Sequence, residues 1–539
     1  MLQQWGGIEV AQEATAEQPI ARAPTAVCAF VGRTLRGPVN RPVTITSFAE
    51  YQGTFGGLWQ PSPLSYAVEQ FFDNGGGTAV VVRVVNGARP ATLTLACGSE
   101  ALTLVAAAPG TREFLRAAID YDGIGVNEPD RFNLVLQRLR APGSEHIEDQ
   151  EIYRRLSVHP ESSRFVIGML AGSALATVRG PVPGMRPDPT SRASARAIAG
   201  YISSNGDGDD GDPVTDYDVI GSAADGRGIF ALAGGPAFNF LYIPPLSRDT
   251  DVGASTLLVA SRFCRDHRAL LVVDPPLGWD SAELALAGLR EWPFASEHAL
   301  MYFPRVLAFD KLRGRFEPFA PGAAVAGMIA RGDARWPVWA AAQGDDATLR
   351  PGFRPLCRVN PAERARLAQA GVNILQTVRP SAAQEPVRQR TLAGATAQWP
   401  ASRWLDAKRL ALFVVTSIER GSRWMLFEAN EPRTWHRATQ QLEGFFRALE
   451  GEGAFSDQEP SDRWFVVCDE RVNRECDRSR GVISLLFGIS AGRAGVFQAW
   501  HVSHRAGGSH VQSVTLNRLQ LEHVHVERAI EDLVHRAAG

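Results

Sequence analysis

Short apolar runs alternate with amphipathic segments along most of the chain, and near its start they predict a small α/β unit. The segment PTAVCAFVG has the composition of a buried strand. Ser47 and Glu50 are spaced as a capping box, which predicts a helix start. Pro63 can open a second helix that Gly75 can close. The run TAVVVRVV then predicts a strand covered on both faces, so residues 24–90 form the first part of the predicted core.

The pattern changes over residues 91–212, where apolar and polar residues alternate. The stretches TLTL and RFNLVLQRL show the two-residue period that is typical of half-buried strands. The region ends in the turn-rich stretches GPVPGMRPDPTS and SSNGDGDDGDP, which are typical of exposed linkers. We interpret this region as an inserted, mostly β domain at the periphery.

Residues 213–395 alternate between strand and helix patterns and predict an α/β middle domain. The runs FNFLYIPP, RALLVVDPP and VNILQTV predict strands, and so does the segment 298–309. Helical patterns occur in DVGASTLLVASRFCRDH and at 281–291, and Asn360 with Glu363 marks a third helix start. Such alternation is typical of βαβ units, so we expect a substantially parallel sheet.

Residues 396–509 predict a C-terminal domain that combines helices with a group of strands. Helical patterns cover 402–420 and 431–450, and a strand is predicted at 423–427 between them. The runs WFVVC, VISLLFG and VFQAWHV predict three further strands, and SVTLN predicts a fourth. Residues 510–539 are interpreted as a C-terminal extension that ends in the polar helical pattern VERAIEDLVHR.

The first 23 residues are polar and predict a loose N-terminal arm. Ile8 and Val10 alternate with Glu9, which indicates one short strand within this arm. A loose arm with one strand-forming patch can add a strand to the sheet of a neighbour.

Composition excludes several classes of protein. Of the 539 residues, 45% are hydrophobic and 21% are charged, which is typical of a globular chain and unlike a disordered one. The net charge of -2 lacks the basic excess of a nucleic-acid-binding protein. No apolar run approaches the roughly 18–20 residues needed to span a bilayer, and the first residues lack the pattern of a secretory signal. The six scattered cysteines favour reduced thiols in the cytoplasm.

One short motif formally matches a catalytic site. The sequence from Gly488 to Gly492 fits G-x-S-x-G, the strand-to-helix elbow that exposes a nucleophilic serine, here Ser490. The residues that follow predict a strand where the elbow needs a helix. Asp532 and His535 are the acid and base available downstream, and both lie in one predicted terminal helix. Chance is the simpler explanation of the motif, and a serine hydrolase stays as an alternative.

The candidates for metal or phosphate binding are incomplete. His523 and His525 would share one strand face, but no cysteine or carboxylate spacing completes a metal site. In NGDGDDGDP, Asp210 stands where a calcium loop needs glycine, and Asp216 stands where it needs a bidentate glutamate. The sequence also contains no P-loop or dinucleotide-binding fingerprint. We therefore predict no enzymatic activity, no cofactor and no metal.

Longer stretches of the sequence resemble a known family. The N-terminal run PTAVCAFVGRTLRGPVNRPVTITSFAEYQGTFGG, continued by LSYAVEQFFDNGGGTAVVVRVV, resembles the tail sheath proteins of contractile phages and phage-like contractile injection systems. The segments LYIPP, ALLVVDPP and GVNIL resemble the same family, and so does the stretch from RTLAGATAQWP to QQLEGFF. The resemblance spans roughly residues 5–90 and 215–500 in family order, and the region 91–212 matches nothing that we can place.

The resemblance implies a fold and a mechanical role. The expected fold is mixed α/β (α+β) and multi-domain, with an inner α/β domain, an inserted mostly β outer domain and extended N- and C-terminal arms. Subunits of this kind form six-membered discs that stack helically around an inner tube, as structural components of a virion or a tail-like particle. They shorten and widen to drive the tube through a target envelope. The expected partners are further copies of the chain, the inner tube protein, and baseplate and terminal cap proteins, without nucleic acid or direct membrane insertion.

The resemblance also assigns residues to assembly by strand exchange. Ile8, Glu9 and Val10 correspond to the donated N-terminal strand. A strand at 496–502 is the candidate for the C-terminal partner, and the alternative is 510–517. The interface residues that this implies at the C-terminal strand are Val496, Phe497, Ala499 and Trp500. The candidates to face the tube are the charged residues Arg433, Arg437, Glu443 and Arg447.

The resemblance leaves the place of the subunit in the particle open. A sheath-like paralogue near the baseplate or cap is an alternative to the main sheath subunit, because the chain continues past the expected end of a sheath. We expect assembly in the cytoplasm, followed by incorporation into a phage tail or into an extracellular or cytoplasmic injection particle.

Overall fold

The centre of the molecule is a seven-stranded sheet, seen in a computed structural model that describes residues 19–190, 200–375, 388–393, 401–455, 463–490 and 496–517. Six strands are parallel and β2 is antiparallel, in the order β17-β13-β12-β11-β1-β3-β2. The strands are β1 (Cys28–Gly32), β2 (Val43–Ile45), β3 (Ala79–Arg83), β11 (Phe240–Tyr242), β12 (Leu270–Val273), β13 (Ala299–Phe303) and β17 (Val372–Ile374). The predicted N-terminal and middle segments therefore share one sheet.

Helices cover both faces of this sheet because its strands are apolar on both sides. Ala29 and Val31 of β1 join one buried cluster, whereas Cys28 and Phe30 join the other. The helices on the Ala29 face are α5 (Ala254–Asp266), α6 (Ala282–Glu291) and α8 (Pro361–Gln369). The helices on the opposite face are α1 (Phe48–Phe55), α2 (Pro63–Asp73) and α7 (Gly322–Asp333). The short helix α4 (Asp216–Ile220) packs against α5.

The strand order reverses between β1 and β11, the place where open α/β sheets usually bind ligands. Here apolar side chains lie against the carboxyl end of β1. A Cβ built on Gly32 would lie 3.4 Å from Cβ of Leu64 and 3.6 Å from Cγ of Pro244. Apolar side chains therefore lie directly against the strand end at Gly32.

Residues 92–203 form two antiparallel sheets around a separate core. One sheet has the order β4-β5-β9 and the other has the order β10-β6-β7-β8. The strands are β4 (Thr92–Cys97), β5 (Glu100–Ala106), β6 (Phe114–Asp120), β7 (Arg131–Leu139), β8 (Ile147–Ser157), β9 (Ala176–Arg179) and β10 (Ile202–Ser203). The single short helix among the described residues of this region is α3 (Val166–Leu170). Side chains of both sheets, including Leu104 and Leu134, share one buried cluster.

The two connections to this inserted region run side by side. Asn86 pairs with Asp212 and Arg89 pairs with Asp209 as antiparallel bridges. The acidic stretch that predicts an exposed linker is hydrogen-bonded to the insert: the carboxylate of Asp207 accepts from the backbone and hydroxyl of Thr92, both at 2.7 Å. Asp207 therefore ties this stretch to β4, and both of its carboxylate oxygens accept from protein donors.

A small sheet lies beyond the carboxyl end of β13. It contains β14 (Val306–Asp310), β15 (Arg315–Phe319) and β16 (Arg354–Pro355) in the order β15-β14-β16. The prediction of one continuous strand at 298–309 is wrong, because the chain leaves the parallel sheet at Pro304. Proline has no backbone N–H to continue a ladder, so β13 ends there and β14 begins in a different sheet.

The C-terminal part of the chain packs helices on one face of an antiparallel sheet in the order β18-β19-β20-β21. Its elements are α9 (Leu405–Gly421), α10 (Pro432–Gly451), α11 (Glu475–Ser479), β18 (Trp464–Val467), β19 (Ile483–Ser490), β20 (Val496–Arg505) and β21 (Gly508–Asn517). The predicted strand at 423–427 is wrong, since these residues form a 3-10 turn between α9 and α10. A five-residue apolar run is compatible with either structure.

Candidate assembly surfaces

Helix α10 presents one apolar face to the C-terminal sheet and one charged face to solvent. Trp435, Leu442 and Phe446 are buried in a cluster with Phe487 and Trp500 of the sheet. The ring of Phe446 lies 6.2 Å from that of Phe487. This packing fixes the rotation of the helix about its axis, so the opposite face must project outward.

The four predicted tube-facing residues belong to that outer side of α10. Arg433 is exposed. Arg437 lies over the ring of Trp424 at 4.2 Å and forms an ion pair of 3.0 Å with Glu428. Glu443 and Arg447 form an ion pair of 2.7 Å one helical turn apart. Two of the three arginines are thus paired with carboxylates, so the outer face is charged and carries both signs.

A large aromatic side chain stands beside this face and was not predicted from the sequence. Phe427, in the turn between α9 and α10, is 91% exposed. Its neighbour Met425 is buried, so the turn directs one apolar side chain inward and one outward. The sequence does not reveal which side chain is exposed, because the run RWMLF has no periodic pattern that distinguishes Met425 from Phe427.

The base of the N-terminal arm lies on the C-terminal helices. Ile8, Glu9 and Val10 are outside the described residues. Ile20 is buried against Gly421, where a built Cβ would lie 2.8 Å from Cγ2 of Ile20. The backbone N–H of Ala23 donates to Oγ of Ser417 at 3.0 Å, and Arg22 pairs with Glu452. These contacts fix the position of residues 20–23, to which the N-terminal arm is joined.

The predicted C-terminal interface strand lies inside the sheet of its own chain. Phe497, Ala499 and Trp500 are buried in β20. Strand β20 pairs with β19 on one side and with β21 on the other, and the backbone of Val496 pairs with that of Asn517. Among the described strands of this sheet, β18 and β21 are the two edges, so a further strand can join only there in this conformation.

The geometry around Ser490 does not form a nucleophile elbow. Ser490 is the last residue of β19, and its backbone N–H donates to the carbonyl of Arg463 at 2.9 Å. It pairs with Phe497 of β20, so the next described element is an antiparallel strand and not a helix. Asp532 and His535 lie outside the described residues. The hydrolase alternative therefore loses the local fold that it needs.

Within the part of the chain that the structure describes, no three histidine, cysteine or carboxylate side chains come together as metal ligands. His523 and His525 are outside that part. Likewise, no described helix is long and apolar enough to cross a membrane.

One buried histidine ties the C-terminal sheet to α9. His504 of β20 is buried, with Nε2 at 2.9 Å from Oγ of Ser422 and Nδ1 at 2.8 Å from Oγ of Ser509. Burial lowers the pKa of His504 to about 4, with Glu419 opposing this and Arg423 adding to it. The neutral imidazole is therefore the form that fits the site.

This histidine makes stability depend on acidity. The folded pKa of about 4 lies below the value of about 6.5 for an unfolded histidine, so between these values the unfolded chain binds more protons. We expect the free energy of unfolding to fall as the pH drops from about 6.5 toward 4, by up to about 3 kcal/mol from this group. Urea unfolding at several pH values measures this. The His504→Gln variant should show a shallower dependence, and an unchanged slope would contradict the assignment.

Comparisons with known proteins place this architecture among solved structures. No family model matches the chain, and no curated protein matches it by sequence. The sheath tail protein of Listeria innocua shares 12% identity with a TM-score of 0.57, over 93% of this chain and 97% of that one.

Two cryo-EM structures of contractile particles show the same architecture. The contracted sheath complex of the extracellular contractile injection system PVC shares 14% identity with a TM-score of 0.51, over 92% of this chain and 95% of that one. The contracted helical sheath of the anti-feeding prophage shares 15% identity with a TM-score of 0.50, over 91% and 97%. The resemblance in fold therefore extends over nearly the whole of each chain and confirms the expected sheath-type fold.

Proposed function

We propose that this chain, which has the fold of tail sheath proteins, is the structural subunit of a contractile sheath. The observation that carries the proposal is the length of the shared fold, because it covers more than nine-tenths of both chains in the comparisons with sheaths. A match of one common α/β domain would leave the function open, since such domains serve many activities. In the proposed particle, copies of the chain form six-membered discs around an inner tube and meet baseplate and cap proteins at its ends.

The C-terminal sheet supports assembly by strand exchange. Among the described strands, β18 and β21 are the edges of the sheet, and Ile20 and Ala23 contact the helices behind the same sheet. An added strand is held by main-chain hydrogen bonds, so it can join two subunits without fixing the angle between their bodies. Ile8, Glu9 and Val10 are the proposed strand of the arm.

The charged outer face of α10 is the proposed contact with the tube. Arg433, Arg437 and Arg447 offer charge, and the exposed ring of Phe427 offers apolar surface that a partner would bury. Such a contact must release during contraction. A surface of mainly exposed charges suits this, because exposed ion pairs each contribute little and are screened by salt.

Negative-stain electron microscopy of the purified full chain, alone and with a co-expressed inner tube protein, tests the proposal. We expect striated hollow cylinders of six-fold symmetry. Deletion of residues 1–18 should abolish the cylinders and leave the fold intact, because it keeps the buried side chain of Ile20 and the hydrogen bond of Ala23. Unfolding measurements on the deletion variant provide the control.

Two results would contradict the sheath assignment or its mechanism. Full-length protein that stays monomeric under all conditions, with and without the tube protein, would refute the sheath subunit. Cylinders that still form after the deletion would refute the role of the arm and leave the sheath assignment standing.

A further inference from the structure

The small sheet β15-β14-β16 is apolar on the face that it turns to solvent. On its inner face, Val306 and Ala308 are buried. On the outer face, Phe309 and Phe316 form a cross-strand pair and are 51% and 49% exposed. Leu312, at the tip of the hairpin, is also half exposed. An antiparallel sheet with one free face normally has polar residues on that face. The apolar residues here therefore indicate a surface that a partner molecule covers.

The side chains of the outer face are held in place by contacts with each other and by the sheet backbone. The rings of Phe309 and Phe316 lie 5.7 Å apart in an edge-to-face arrangement. The guanidinium of Arg354 lies 5.4 Å from the ring of Phe316. Phe309, Leu312, Phe316 and Arg354 are called the hairpin patch below. Because its backbone is held in a three-stranded sheet, little conformational entropy would be lost when a partner covers it.

The rim of the hairpin patch is basic. Lys311, Arg313 and Arg315 are exposed around the tip. Lys311 forms an ion pair of 2.7 Å with Glu69, and Arg313 and Arg315 form ion pairs with Glu317. Because both carboxylates are largely buried and their partners are more exposed, the cations are the charges that face solvent. Arg354 forms no ion pair with any residue that the structure describes. A partner for this patch should therefore be acidic with an apolar centre.

A surface with the complementary character lies on α6 of the same chain. Leu284 is 51% exposed at its centre. Glu283 and Glu291 lie on the same helix and Asp280 lies just before it; all three are exposed, and none forms an ion pair with another described residue. Arg290 is the single basic residue among them. These four residues, Asp280, Glu283, Leu284 and Glu291, are called the α6 patch below.

We propose that the hairpin patch of one copy binds the α6 patch of the next copy. The charges are opposite, and each patch has an apolar centre of similar exposure. Ala282 and Ala285 of α6 pack on the Ala29 face of the seven-stranded sheet, whereas Val306 of β14 packs on the opposite face. The two patches therefore lie on opposite sides of the central sheet. A contact between two different surfaces is head-to-tail, and repeated head-to-tail contacts close into rings or continue as helices. The inference rests on the proposed self-assembly and adds a contact made by folded surfaces instead of arms.

Cysteine cross-linking between two variants tests this contact directly. The Phe316→Cys and Leu284→Cys variants are prepared separately, each also with Cys476→Ser, because Cys476 is the exposed native thiol in the described chain. After mixing and oxidation, we expect a covalent dimer that contains one copy of each variant, about tenfold above the control mixture. The control replaces Phe316→Cys with Val126→Cys, at an almost fully exposed position of the inserted domain.

Charge reversal supplies a second measurement. Arg354→Glu should reduce the fraction of protein that assembles into cylinders by about tenfold, because the introduced carboxylate would be repelled by Glu283 of the next copy. Adding the Glu283→Arg substitution should restore most of this fraction. Both residues are exposed, so folding should be unaffected, and unfolding curves check this.

The two measurements separate the failure of this contact from the failure of the sheath assignment. Cylinders without the mixed cross-link overturn the contact and leave the sheath standing. A mixed cross-link without cylinders supports the contact and overturns the sheath. Preferential pairing of two Phe316→Cys copies would overturn the head-to-tail arrangement, and an assembled fraction unchanged by Arg354→Glu would overturn the charge pairing.

Discussion

Replacing Arg83 with methionine is expected to lower the free energy of unfolding by about 3–5 kcal/mol. Arg83 is the last residue of β3 and only 1% exposed. Its Nη1 donates to the carbonyl of Gly37 at 2.7 Å, and its Nη2 donates to the carbonyl of Pro109 at 2.8 Å. One side chain thus joins the central sheet to the inserted domain.

The loss should be large because buried groups would be left without partners. Burial lowers the pKa of Arg83 to about 10, and the nearby Glu113 carboxylate opposes that shift. Methionine fills much of the volume but cannot donate to the two carbonyls, and Glu113 would lose a favourable charge. Urea unfolding of the full chain measures the change.

An exposed arginine of the same connection is the matched control. Arg89 is 72% exposed and pairs with Asp209 at 3.1 Å. Arg89→Met should cost less than about 1 kcal/mol, as exposed ion pairs usually do. Equal losses for the two variants would refute the view that Arg83 holds the insert through buried hydrogen bonds.

The second large effect is expected at Gly327, where α7 crosses α2. A Cβ at Gly327 would lie 2.2 Å from the carbonyl oxygen of Phe71. Gly327→Ala must therefore push the two helices apart in the buried layer, and we expect a loss of about 2–4 kcal/mol despite the better helix propensity of alanine. A lower thermal unfolding midpoint would show this.

The same substitution in another helix should have the opposite sign. Gly53 lies in α1, and no atom comes within 4 Å of a Cβ built there. Gly53→Ala should stabilise the chain by about 0.5–1 kcal/mol, because glycine loses more backbone entropy when a helix forms. If both alanine variants shift the midpoint in the same direction, close helix packing is not what requires glycine at 327.

Local signals in the sequence predicted several helix starts correctly. The capping box at Asn360 forms with both hydrogen bonds at 2.9 Å, and Pro63 is the first residue of α2. The box at Ser47 forms only in part: Oγ of Ser47 accepts from the backbone of Glu50, but the carboxylate of Glu50 accepts from Thr46. These features depend on residues close in sequence, which is why a pattern can reveal them.

Features that depend on distant partners were not accessible from the sequence. The apolar alternation of β14 indicates a strand, but nothing in it tells that Phe309 faces solvent while Ala308 is buried. The same holds for β20, whose central position is decided by β19 and β21 and not by its own residues. The strand Ile8–Val10 and the tube-facing role of α10 stay predictions, since contacts with other molecules decide them.

The paired connections at Asn86 and Asp212 have an evolutionary consequence. The chain enters and leaves the inserted region at backbones that are hydrogen-bonded to each other. Any unit whose two ends lie side by side could be exchanged at this point without disturbing the order of the central sheet. The insert thus behaves as a replaceable module, free to diversify in size and surface while the strands beneath it keep their register.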